Sequence, residues 1–167
     1  MSNDSNDELT SEEREFTMTN EEQLKRDTYF MQRALEEAHA ALAAGEVPIG
    51  AVVVCRDRII ARGHNLTETL GDVTAHAEMQ VITSASNYLG GKYLADCTLY
   101  VTVEPCAMCA AAIGWAQIPR VVYGCGDEKR GYRRYAPLVM HPKNKTTGGI
   151  LEEECRQLMV DFFKLKR

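Results

Sequence analysis

His76-Ala77-Glu78 and Pro105-Cys106-Ala107-Met108-Cys109 supply four side chains of the kinds that bind and use a metal ion. Each group follows a loop or strand and opens a helical pattern, so each is expected at a helix N-terminus. The partial positive charge there favours thiolates, the form of cysteine that binds zinc. Cysteines three apart lie on one side of a helical turn, so both sulfurs reach one ion. With His76 they make three ligands and leave a tetrahedral zinc one open position, the pattern of a catalytic site. Glu78, two residues beyond His76, is placed for proton transfer rather than ligation. Zinc lowers the pKa of a coordinated water from about 15.7 to about 7, raising the hydroxide fraction at neutral pH by roughly eight orders of magnitude. Taken apart, the motifs are weak: a lone C-x-x-C fits a redox pair, and a lone histidine fits a core position. Together they are far more specific, and no second C-x-x-C is present to complete a four-cysteine structural site.

The elements that must position these residues follow from hydrophobic period and breakers. Apolar residues at three- and four-residue steps predict a helix opening at Asn20 and stopped by Gly45 and Pro48. Residues 49–55 and 58–62 flank Arg56-Asp57 as a hairpin. A Gly/Asn/Thr-rich loop over 63–73 leads to a helix over 75–88, with Thr74 as its N-cap. Residues 98–103 read as a strand, and 105–116 as a helix with Pro105 in its first turn. A strand over 120–123 and a last helix over 150–164 enclose a long loop, 125–149, with a short strand near 145–147. Strands alternating with helices predict an α/β layered domain.

Composition agrees. The chain has 167 residues, 45% hydrophobic and 26% charged, which excludes a disordered or fibrous protein and fits one domain. No apolar run is long enough for a membrane span, and the start lacks an apolar leader, so a soluble cytoplasmic protein with no membrane partner is expected. Residues 1–19 read as a flexible acidic tail and 20–167 as the folded domain. The net charge of −5 sits entirely in residues 1–20, with six acids against Arg14; the remaining body is neutral. Within it, residues 129–145 carry six bases and no acid. Of six cysteines, Cys55, Cys97, Cys125 and Cys155 are expected as reduced core residues.

The H-x-E…P-C-x-x-C pattern resembles the zinc-dependent nucleobase and nucleoside deaminases. The resemblance runs from about Asp27 to Arg167: Val47-Pro48-Ile49-Gly50, Gly63-His64-Asn65, Thr74 to Glu78, Tyr100 to Cys106 and Arg120 to Gly124 all look like bacterial tRNA-specific adenosine deaminases. So do Gly149 to Cys155 and Asp161-Phe162-Phe163, the stretch that separates this group from other zinc deaminases. The resemblance implies a three-layer α/β/α sandwich around a five-stranded mixed sheet of the cytidine-deaminase type, assembled as a homodimer with one zinc per subunit and no organic cofactor. It implies His76, Cys106 and Cys109 as metal ligands and Glu78 as the proton carrier. Asn65 would read the edge of the target base, with Val47, Ala77 and Pro105 lining its pocket and the Ala77 N–H contacting the base. The implied reaction is hydrolytic deamination of adenosine to inosine at the wobble position of a tRNA anticodon by a zinc-activated water. The alternative is a guanine or cytosine deaminase with the same zinc chemistry.

Lys129-Arg-Gly-Tyr-Arg-Arg-Tyr135 interleaves bases with tyrosines, a mixture suited to single-stranded RNA. The resemblance matches Asp127 to a position touching the target strand and Phe162 and Phe163 to an RNA-facing C-terminal helix. These three, with Arg130, Arg133 and Arg134 of the basic run, are therefore expected to touch the anticodon stem-loop. Trp115 is expected to be buried, in the core or in a dimer contact.

Overall fold

The computed structural model describes residues 18–166. The predicted acidic tail falls almost wholly outside them. Helix α1 (Asn20–Ala43) has Asn20 as its first helical residue, and the cap is Thr19, which forms a capping box with Glu22. Strands β1 (Gly50–Cys55) and β2 (Arg58–His64) make the expected hairpin, and Arg56 and Asp57 between them both take positive φ, as a tight two-residue turn requires. Next come the short α2 (Thr67–Leu70), then α3 (Ala77–Leu89), β3 (Cys97–Val103) and α4 (Ala107–Trp115). After β4 (Arg120–Cys125) come the one-turn α5 (Tyr132–Tyr135), β5 (Lys145–Thr147) and α6 (Glu152–Leu165).

The five strands form one mixed sheet in the order β2-β1-β3-β4-β5. β1 runs antiparallel to β2 and β3, whereas β3, β4 and β5 are parallel. Alternation along β1 sends Val52 and Val54 to one face and Ala51 and Val53 to the other. The first face packs on Phe30, Met31 and Ala34 of α1 and on Cys155 of α6. The second packs on Val81 and Ala85 of α3 and Ile113 of α4. Both faces are covered, giving the three-layer sandwich. Gly50 sits where α1 presses on the sheet; a Cβ there would overlap the Ala34 carbonyl and the Ala38 amide. Across the same interface Arg120 donates twice to the buried Asp27 at 2.7 Å, and Tyr100 adds a third bond at 2.8 Å.

Three sequence expectations change. Thr74 does not cap α3; its N–H and hydroxyl both bond to Asp72, and the helix starts two residues late with His76 at the N-cap. Pro105 lies before α4 rather than inside it, with Cys106 as N-cap. Trp115 is 83% exposed on the isolated chain, so it is not a core residue. Cys97, Cys125 and Cys155 are buried free thiols as expected, and Cys55 is half-buried.

Candidate functional site

The two N-cap positions build the site. His76 and Cys106 have extended backbones (ψ 156° and 172°), so their side chains stand clear of the helices they begin. Cys109 follows one turn into α4. His76 Nδ1 lies 3.6 Å from Cys106 Sγ and 3.5 Å from Cys109 Sγ. Bond lengths of about 2.0–2.1 Å to nitrogen and 2.3 Å to sulfur give tetrahedron edges of roughly 3.5–3.6 Å between N and S. The triangle therefore fits one zinc ion, and the donor set of one imidazole and two sulfurs suits that metal.

The three groups also interact electrostatically, and the hydrogen bond with Cys106 raises His76. A hydrogen bond from the Cys109 thiol, with His76 adding, lowers Cys106 to about 4, so it is a thiolate at neutral pH. The same contact pushes Cys109 up. Glu78, in the first turn of α3, is buried beside them; burial, reinforced by the Cys106 thiolate, raises it to about 7. Ala77 opens α3, so its N–H has no intrahelical acceptor and is available to a ligand.

Asn65 lies in the loop after β2, buried, with its backbone N–H bonded to Ile49 O at 3.1 Å. Its amide Nδ2 donates to Glu46 Oε2 and to Thr67 Oγ1, both at 3.2 Å. Glu46 also accepts from Glu68 N (3.2 Å), Thr69 N (2.6 Å) and Thr69 Oγ1 (2.9 Å). Burial raises the Glu46 carboxyl, but these donors outweigh it and hold its pKa below the usual value. Sequence reading missed Glu46, since an acid between Gly45 and Pro48 looks like ordinary turn chemistry.

The basic loop divides. Asp127 is spent on its own turn, accepting from Lys129 N and Arg130 N. Arg133 stays largely exposed but is tied to a buried carboxylate: Nε and Nη2 donate to Glu104 Oε1 at 3.0 and 2.7 Å, and its guanidinium lies 5.4 Å from the Tyr123 ring. A Cβ on Gly131 would overlap the Glu104 carboxylate, so glycine lets the loop close over it. Arg134 bonds to Glu128 O and covers Tyr135, while Arg130 is exposed. Phe162 is buried, and Phe163, stacked edge-on against it, is half exposed. A groove between this loop and α6 is lined by Lys129, Arg130, Phe163, Lys164 and Lys166. Glu104 was also missed; nothing in its local sequence distinguishes a buried carboxylate from a surface one.

A family model of the cytidine and deoxycytidylate deaminase zinc-binding region matches residues 24–125. The chain is 46% identical over 145 residues to the tRNA-specific adenosine deaminase of Agrobacterium fabrum, covering 84% of this chain and 95% of that one. It is 41% identical over 149 residues to the enzyme of the same name from Streptococcus pyogenes, covering 86% and 94%. A solved tRNA:A34 deaminase, from work on A-to-I editing at the wobble position of transfer RNA, superposes with a TM-score of 0.74 at 45% identity, covering 78% of this chain and 99% of that one.

Proposed function

The chain belongs to the cytidine and deoxycytidylate deaminase family, and from that premise we propose that it hydrolyses adenosine to inosine at the wobble position of a tRNA anticodon. The observation that carries this reading is the His76–Cys106–Cys109 triangle with buried Glu78 beside it, in a chain 41–46% identical to tRNA-specific adenosine deaminases over most of its length. His76, Cys106 and Cys109 would hold zinc, whose Lewis acidity makes water nucleophilic near neutral pH. Glu78 carries the two protons of the attacking water in turn, the first to N1 of the base and the second to the departing amine. Asn65 and the Ala77 N–H hold the base, with Val47 and Pro105 as walls. The target nucleotide must leave its stack to enter, which is cheap in an unpaired anticodon loop.

The groove lined by Lys129, Arg130, Lys164 and Lys166, with Phe163 exposed as a stacking surface, is the reading's RNA-holding face. Arg133 and Arg134 belong to the same basic loop, and Phe162 packs edge-on against Phe163. A homodimer accounts for the exposure of Trp115 and Leu138, at 83% and 92%. The cytoplasm, where tRNA is available and thiols stay reduced, is its setting.

The test is to incubate zinc-loaded protein with an anticodon stem-loop carrying a wobble adenosine and, separately, with free guanine and cytosine. Inosine at the wobble position supports the reading. Turnover of a free base with no inosine in any tRNA would replace it.

A further inference from the structure

Glu46 is a carboxylate with 0% exposure, contributed by the turn after α1 and used by no step of the reaction. Four donors converge on its two oxygens. The backbone N–H groups of Glu68 and Thr69 can only donate, so the oxygens facing them can only accept. A protonated carboxyl would weaken or give up some of these bonds, so the four converging donors favour Glu46 as an anion. The same logic fixes the Asn65 amide. The end facing Glu46 Oε2 must be Nδ2, and its second hydrogen is directed to Thr67 Oγ1. Oδ1 is then the end left for a ligand; N1, N3 and N7 of adenine are acceptors, so its partner on the nucleoside is a ribose hydroxyl or the 6-amino N–H.

We propose that Glu46 is a positioning residue that locks the side-chain amide of Asn65 with its carbonyl oxygen toward the substrate. The inference rests on the reading of Asn65 as a nucleoside-holding residue. One buried anion, reaching 19 residues to Asn65 and 23 to Thr69, ties the turn before β1 to the loop after β2. Without its charge the amide is free to flip, and a donor then faces the substrate's donor.

The test is a double-mutant cycle on the zinc-loaded protein, with kcat and KM read from inosine formation in an anticodon stem-loop. Asn65→Ala should raise KM. Glu46→Gln, nearly isosteric, loses a charge-assisted bond and should raise KM about tenfold, with kcat changed less than about threefold. Zinc should stay near one per chain. In the Asn65→Ala background, Glu46→Gln should add less than about twofold, because the amide it orients is gone. The same factor in both backgrounds, or an unchanged KM for Glu46→Gln while Asn65→Ala raises it, overturns the positioning role alone. An unchanged KM for Asn65→Ala removes the substrate reading of Asn65 and the proposal with it. If Glu46→Gln fails to fold or hold zinc, Thr69→Val takes its place. That variant removes one hydroxyl donor and leaves the carboxylate, and it should raise KM about threefold only where Asn65 is present; equal effects in both backgrounds overturn the proposal.

Discussion

Arg133 and Arg130 lie three residues apart in the same basic run, yet the structure predicts opposite consequences for losing them. The Glu104 side chain is 1% exposed and the Arg133 side chain 58%. Truncating one partner of a fully buried pair costs about 3–5 kcal/mol, because the other charge is left uncompensated. The half-exposed guanidinium lowers that figure, since solvent already screens it. Glu104 also keeps two backbone donors, Asp127 N and Arg133 N, each at 3.3 Å. Loss of the cation–π contact with Tyr123 adds about 0.5 kcal/mol. Arg133→Ala should therefore destabilise the protein by about 2 kcal/mol, a melting shift of roughly 4–8 °C for a chain of this size. Arg130→Ala should stay within about 0.5 kcal/mol. RNA binding should separate them in the other direction. If Arg130 meets a phosphate, Arg130→Ala flattens the log–log salt dependence of stem-loop binding by about 0.7. Arg133→Ala weakens binding by loosening the loop and leaves the slope unchanged. Urea unfolding of both variants, with stem-loop titrations at several salt concentrations, reads both effects. Unchanged stability together with a flattened slope in Arg133→Ala would refute the argument, because the guanidinium would then be serving RNA rather than Glu104.

Three further outcomes follow from the same structure. Glu78→Gln should keep about one zinc per chain and lose at least about 100-fold in turnover, whereas Cys106→Ala should lose zinc and stability together; metal analysis with the reverse pattern would exchange their roles. Asp27→Ala removes a buried carboxylate that accepts two bonds from Arg120 and one from Tyr100, so urea unfolding should show a loss of about 3 kcal/mol, and a loss below about 1 kcal/mol would contradict it. Burial raises the Cys125 thiol to about 11 and Cys155 to about 12. An unfolded thiol ionises near pH 8.5, so the stability these groups contribute is complete below that pH and lost as pH rises toward 11–12. The Cys125→Ala/Cys155→Ala variant should show a shallower alkaline decline than the parent, and identical declines would count against burial of these thiols.

The chemistry of this protein is local in its chain, and that is why it is legible there. Cys106 and Cys109 share a helical turn, and His76 and Glu78 lie two residues apart, so residue type and spacing point to both halves of the candidate site. The strands also declare themselves, since β3 is buried along its whole length and its residues are correspondingly apolar or small. The same holds for the covered sheet with helices on both faces, which alternating strand and helix patterns already require. What tertiary structure decided is the direction in which charged and aromatic side chains point. Arg133 and Arg130 are indistinguishable in a basic run; only the arrival of Glu104, 29 residues away in sequence, ties one of them to a buried carboxylate. Phe162 and Phe163 are neighbours in a helix, and the packing of α6 alone determines which is covered. Trp115 has the composition of a core residue, but the end of α4 lies at the surface of the isolated chain. Glu46 shows the limit most clearly. A carboxylate can be buried only where several donors converge on it, and its donors come from a loop some twenty residues away that is brought beside it when β1 and β2 pair.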